Sequence, residues 1–164
     1  KIARKSIFVA RDPRSLLPIT SAGIGSVLFA GERGDFENDT VRRFIARVMA
    51  LCRTGAPDLH DLEDYDALQT SFDHSTVQSD GMEMDLYRQG PETDSSGPDL
   101  LFLLNRRSID EVLLCRISKE ADIVIVTDWP YAVDLLPEDK TIIVTYGIYE
   151  AAAEALFSAT LSRS

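Results

Sequence analysis

Short apolar runs alternate with amphipathic stretches along most of this chain. Each run is too short for a helix, and most are rich in β-branched residues. Continuous apolar runs of this length are typical of strands buried on both faces of a parallel sheet. Five such strands are predicted, at Ser6–Ala10, Ile24–Ala30, Asp99–Asn105, Ile123–Thr127 and Thr141–Tyr146.

Helical patterns separate these strands. Asn38 and Asp39 form a predicted N-cap for a helix that ends near Arg53, with its apolar positions on one face. Further helices are predicted at Ser108–Glu120, Tyr131–Leu136 and Tyr149–Leu161. The alternation indicates an α/β fold: an open, mostly parallel sheet of five to six strands, with helices on both faces in a Rossmann-like layering.

The segment from Asp58 to Pro98 differs from the rest. It is acidic at its start, ends in the loop-like sequence TDSSGP, and offers only one short candidate strand, Ala67–Phe72. We expect a long, partly mobile surface connection within a single domain that spans residues 1–164.

Charge narrows the range of partners. The 27 acidic and 17 basic residues give a formal net charge of −10. Phosphates would be repelled by this surface, so we expect no nucleic acid and no anionic membrane as partner. No apolar run approaches the length needed to cross a bilayer.

Several motifs at the two ends of the chain resemble one family. The residues from Ala3 to Ile7, followed by Leu16-Leu17-Pro18-Ile19, resemble the opening of the C-terminal α/β domain of glycoside hydrolase family 3. The end of that domain is similar to Pro130-Tyr131, Leu136-Pro137, Tyr146-Gly147 and Ala151–Phe157 here, most closely in the β-N-acetylhexosaminidase branch. Trp129 and Ser158 depart from that branch, which has asparagine and glycine at the corresponding places.

The resemblance implies a non-catalytic role for this domain. The parent enzyme would hydrolyse β-linked N-acetylglucosamine-type glycosides with retention, using a nucleophilic aspartate and a histidine–aspartate pair on an N-terminal barrel. The expected partners are that barrel and the carbohydrate substrate, and no catalytic residue, metal or cofactor is expected in this chain. The alternative is a stand-alone, non-enzymatic α/β interaction or ligand-binding domain.

Two stretches supply candidate substrate contacts. Ser79–Met84 resembles the segment that carries the family's nucleophile, but its position between two strands favours a surface loop. In some family members an acidic residue of this domain reaches the active site, so Asp80, Glu83 and Asp85 are candidates. Trp129 and Tyr131 follow a strand's carboxyl end, where they would stack on a sugar, pack against a neighbouring domain or belong to a turn packed on its own helix.

Four weaker patterns each have a chemical and a structural interpretation. Gly31–Asp35 is a phosphate-binding turn or a plain strand-to-helix turn, and the acidic residues around His60 are a cation site or a solvated face. His74 either titrates with its neighbour Asp73 or is simply exposed. Cys52 and Cys115 are favoured as small buried hydrophobes over a disulfide or a reactive thiol.

Overall fold

The computed structural model describes residues 7–20, 23–52, 62–79, 81–90, 97–104, 110–127, 130–148 and 150–162. Within these residues seven strands form one sheet, in the order β1-β8-β7-β6-β3-β5-β4, and β2 and β9 form a short parallel pair. The strands are β1 (Ile7–Arg11), β2 (Ile19–Thr20), β3 (Val27–Gly31), β4 (Asp73–Ser79), β5 (Met82–Gln89), β6 (Leu100–Leu103), β7 (Ile123–Thr127), β8 (Thr141–Thr145) and β9 (Leu161–Ser162).

The four central strands, β3, β6, β7 and β8, run parallel to one another. Every residue in them is buried, which explains why their sequences are continuously apolar instead of alternating. The two strands that flank this centre run in the opposite direction, since β1 pairs antiparallel with β8 and β5 pairs antiparallel with β3. The sheet is therefore mixed, with a parallel centre and antiparallel pairs at both sides.

Helices cover both faces of the sheet. The described helices are α1 (Arg33–Glu37), α2 (Asp39–Cys52), α3 (Leu62–Gln69), α4 (Glu111–Ser118), a 3-10 helix (Pro130–Leu135) and α5 (Glu150–Thr160). One apolar cluster joins Phe29 and Phe102 of the sheet to Phe44 of α2 and Leu156 of α5. A second cluster on the other face joins the sheet to α4 and the 3-10 helix. None of the described helices is long and apolar enough to cross a membrane.

Polar side chains fix the ends of these elements. The side chain of Asn38 accepts hydrogen bonds from the backbone N–H groups of Thr40 and Val41, which confirms the predicted N-cap of α2. Helix α4 begins later than predicted, because Asp110 caps it by accepting from the backbone N–H of Val112. Ser108, the predicted cap, lies outside the described residues.

The α/β class is confirmed, but the sheet has seven strands instead of five or six. The additional strands come from the segment predicted as a long connection, which contains α3 and a β4–β5 hairpin. The short strand predicted at Ala67–Phe72 is wrong, because α3 continues to Gln69 and a turn follows it. Strand β4 was not predicted because it is polar and mostly exposed at the edge of the sheet, so no apolar pattern indicates it.

Candidate functional site

A cleft of about 330 Å³ lies beside the carboxyl end of β3. Gly31, the last residue of β3, pairs with Asp85 of β5, so the hairpin forms one wall there. Ligands of open α/β sheets bind beyond the carboxyl ends of parallel strands, which makes this position a candidate site. The lining residues are Arg33, Phe36 and Glu37 of α1, Arg42 of α2, Gln69 of α3, and His74, Asp85 and Tyr87 of the hairpin.

His74 and Asp85 form the central polar pair of the cleft. The imidazole Nε2 of His74 lies 3.0 Å from Oδ1 of Asp85, and the hydroxyl of Thr76 donates to the same oxygen at 3.4 Å. The Asp85 side chain is 12% exposed and that of His74 is 47% exposed. Because a carboxylate only accepts hydrogen bonds, this contact places a proton on Nε2. No group in the described residues hydrogen-bonds to Nδ1 of His74.

Aromatic rings hold His74 in place. Its ring stacks on Tyr87, the residue directly opposite it in the hairpin, with centroids 4.5 Å apart and planes within 11°. Phe36 of α1 contacts Tyr87 with centroids 4.6 Å apart, and the Gln69 amide donates to the Tyr87 hydroxyl at 3.5 Å. The imidazole is thus oriented by a ring on its face and a carboxylate on its edge.

The two arginines of the cleft differ in their surroundings. Arg42 forms ion pairs with Asp39 at 3.6 Å and with Asp66, and its guanidinium lies 4.9 Å from the centroid of the Tyr65 ring. Arg33 is exposed, and no ion pair joins it to another described residue. Among the described residues that line the cleft, Arg33 is therefore the cation without an ion pair, and it shares the cleft with the imidazole of His74.

Of the predicted contact residues, the structure brings one into this cleft. Asp85 is nearly buried and bonded to His74, whereas Glu83 is exposed two residues nearer the hairpin turn and accepts from the Gln78 amide at 3.1 Å. Tyr131 is 73% exposed on the 3-10 helix, which packs against the opposite face of the sheet. Asp80 and Trp129 lie outside the described residues.

The structure gives a different result for each of the weaker sequence patterns, which involve His74, the Gly31–Asp35 turn and the acidic residues around His60. His74 pairs with Asp85 and not with Asp73, because adjacent residues of a strand point to opposite faces. Gly31–Asp35 forms a strand-to-helix turn in which the Glu32 backbone N–H donates to Asp35. The described residues contain no group of three or more side chains able to hold a metal ion, and His60 is not among them.

Neither Cys52 nor Cys115, both within the described residues, forms a disulfide. Cys52 is buried in the apolar cluster beneath α2, as the sequence predicts. Cys115 is partly buried, and its sulfur lies 3.7 Å from the carbonyl oxygen of Leu135. Neither lines the cleft.

Sequence reasoning missed Gln69 and Tyr87 as parts of a site, and it considered Arg33 only as part of the Gly31–Asp35 turn. The dipeptide Asp80-Gly81 is a strong signal for a two-residue hairpin turn, and Gly81 has the positive φ of +80° that such turns require. With that turn recognised, the alternation on either side would have placed His74, Asp85 and Tyr87 on one face.

No protein-family model matches this sequence, and no curated protein or solved structure is significantly similar to it. The resemblance to glycoside hydrolase family 3 therefore depends on the motif residues quoted above.

Proposed function

We propose that this chain is the non-catalytic α/β domain of a glycosidase resembling family 3, a β-N-acetylhexosaminidase-like parent that hydrolyses O-glycosyl bonds. The domain packs against the catalytic barrel of the same polypeptide. Its own role is to support the barrel and to contribute part of the sugar site. Bond cleavage belongs to residues of the barrel, so the chain alone is expected to be inactive.

Three exposed aromatic side chains carry this proposal. Phe8, Tyr131 and Tyr146, named here the aromatic edge, are 48%, 73% and 47% exposed. Phe8 and Tyr146 stack with centroids 6.3 Å apart, at the carboxyl end of β8. Arg11 ties β1 to the 3-10 helix that bears Tyr131, since its guanidinium donates to the Val133 carbonyl at 2.6 Å. Exposed aromatic side chains such as the stacked Phe8 and Tyr146 are typical of a surface that another protein domain covers.

The DNA upstream of the codon for Lys1 tests the proposal directly. We expect an open reading frame that continues through roughly three hundred residues of alternating strands and helices, as a barrel requires. A stop codon immediately upstream would refute the proposal.

In the protein that contains the barrel, substitution of the aromatic edge tests its role. We expect Phe8→Asp with Tyr146→Asp to split a single thermal unfolding transition into two, because a charged edge would not dock. Val112→Asp is the matched control, since Val112 is 55% exposed on α4 and lies outside the aromatic edge. Equal behaviour of the two variants would exclude the aromatic edge as the docking surface.

The same protein tests whether the hairpin contributes to the sugar site. Glu83 is the better candidate for a contact with sugar, because its carboxylate is exposed while that of Asp85 is held by His74. We expect Glu83→Gln to raise KM for an aryl N-acetyl-β-glucosaminide without loss of kcat. An unchanged KM would exclude this contact.

The cleft favours a second candidate function, a stand-alone ligand-binding domain. Its polar lining at the carboxyl end of β3 is where open α/β sheets hold small molecules. This candidate predicts no upstream barrel and no activity on aryl N-acetyl-β-glucosaminide. It also predicts that the isolated chain binds a small molecule.

A further inference from the structure

The cleft gathers hydrogen-bonding groups that remain available to a ligand. Arg33 forms no ion pair with a described residue, and Nδ1 of His74 has no partner among those residues. Glu37 lies four residues after Arg33 on α1 and is also exposed to the cleft. These three groups offer a guanidinium, a ring nitrogen and a carboxylate at the surface of one cavity.

The other charged groups of the cleft, Asp85 and Arg42, already have hydrogen-bond or ion-pair partners within the protein. Asp85 accepts from His74 and Thr76, and Arg42 is paired with Asp39 and Asp66. Among the described lining residues, Arg33 is therefore the cation that a bound molecule meets without an existing ion pair. The molecule meets Glu37 and the imidazole Nδ1 as acceptors that require a donor such as a hydroxyl group.

We infer that this cleft binds a small hydroxylated oxyanion, a carboxylate or phosphate compound whose anionic group contacts Arg33 and whose hydroxyl groups donate to His74 and Glu37. Asp85 is a positioning residue, because its bond to Nε2 fixes the imidazole so that Nδ1 is the ring nitrogen left facing a ligand. The volume of about 330 Å³ is at the lower end of the range for small-molecule pockets. The inference is independent of the barrel, so it stands or fails separately from the proposed function.

Isothermal titration of the chain with three probes tests the inference. Glycerol 3-phosphate and glycerate each supply hydroxyl groups with one kind of oxyanion, and glycerol supplies hydroxyl groups alone. We expect saturable binding of at least one of the two anions and about tenfold weaker binding of glycerol, because a charge-assisted contact is lost. The stronger of the two anions identifies whether phosphate or carboxylate is preferred. No saturable binding of either anion would refute the inference.

Two arginine variants locate the site. We expect Arg33→Gln to weaken anion binding about tenfold, and Arg33→Lys to retain part of the affinity because the charge remains. Arg43→Gln is the matched control, since Arg43 is exposed on α2 and does not line the cleft. Equal losses in Arg33→Gln and Arg43→Gln would show a general effect of net charge and refute the site. Nitrogen-15 spectra of the imidazole supply a second readout: the Nδ1 signal of His74 should move with the bound anion, and an unmoved signal would refute the role of His74.

Discussion

His74 Nε2 lies 3.0 Å from Asp85 Oδ1, although eleven positions separate the two residues in sequence. The contact crosses the β4–β5 hairpin diagonally, since His74 is opposite Tyr87 and Asp85 is opposite Thr76. The carboxylate is nearly buried and the imidazole is half exposed, so the pair directs a fixed imidazole towards the cleft.

The first prediction concerns this pair. We expect Asp85→Asn to lower the free energy of unfolding by about 1 kcal/mol, because a charge-assisted hydrogen bond to a half-exposed partner is lost. The same change should remove the preference of the His74 ring for a proton on Nε2, which nitrogen-15 spectra of the imidazole report.

The neighbouring acid supplies the control for that variant. Asp73 precedes His74 in sequence but points to the other side of the strand and is exposed. We expect Asp73→Asn to leave both stability and the imidazole spectrum unchanged. A larger spectral change in Asp73→Asn than in Asp85→Asn would contradict the pairing.

The central strands were predicted from the sequence, whereas the contact between His74 and Asp85 was not. The strands of the parallel centre were predicted because both faces are buried, which leaves a continuous apolar run such as Ile123–Thr127. The β4–β5 hairpin was not predicted, because β4 is polar. Its position at the edge of the sheet depends on pairing with β5. The contact between His74 and Asp85 depends in turn on hairpin register, since a shift by one residue would move Asp85 to the other face. Register is set by the turn, and the local signal for it is the dipeptide Asp80-Gly81, since strands joined by a two-residue turn pair directly on either side of it.

The second prediction concerns Asp12, which organises the turn after β1. Its carboxylate accepts hydrogen bonds from the backbone N–H groups of Leu16 and Leu17, at 2.8 and 3.2 Å, and from the Thr141 hydroxyl at 2.9 Å. We expect Asp12→Ala to lower the free energy of unfolding by about 1 kcal/mol in urea titrations, because these donors lose their acceptor. Asp139→Ala is the control, since Asp139 is an exposed turn residue.

Asp12 also gives a pH dependence. Burial alone would raise the pKa of this carboxyl, but the hydrogen bonds from Leu16, Thr141 and Leu17 hold it below the ordinary value of 3.8. A lowered folded pKa stabilises the fold fully above the ordinary value, and this contribution is lost as pH falls through the folded value. The acid part of the stability curve should therefore be shallower in Asp12→Ala than in the native chain. An equally steep acid limb in both proteins would contradict this assignment.

The third prediction concerns Tyr65 of α3, which is 2% exposed beneath the Arg42 guanidinium. Burial raises its pKa from 10.0 to about 12, although the charge of Arg42 acts in the opposite direction. With a raised folded pKa, the stability contributed by the neutral phenol is complete below pH 10.0 and decreases as pH rises towards about 12. Tyr65→Phe should remove this alkaline decrease, measured by urea unfolding at increasing pH. Tyr131→Phe, at a largely exposed phenol, should retain it.

The last prediction concerns Gly25, where the chain enters β3. Its backbone N–H donates to the Pro98 carbonyl at 2.9 Å, and the next N–H, of Ser26, donates to Asp99 at 2.6 Å. A Cβ on Gly25 would lie 2.5 Å from the Asp99 carboxylate and 2.6 Å from the Gly97 carbonyl oxygen, closer than any ordinary contact. The carbonyl oxygen belongs to the backbone and cannot rotate away. The segments that lead into β3 and β6 would therefore have to move apart.

We therefore expect Gly25→Ala to lower the free energy of unfolding by about 2 kcal/mol, within the range measured for overpacked sites. Gly34→Ala is the opposite case, because a Cβ at that position would meet no atom within 4 Å apart from its chain neighbours and the backbone of α1. Alanine favours a helix over glycine by about 0.5–1 kcal/mol, so this variant should be slightly more stable than the native chain. Urea unfolding of the two variants separates these outcomes, and a Gly25→Ala protein as stable as Gly34→Ala would mean that β3 and β6 approach each other less closely than this structure shows.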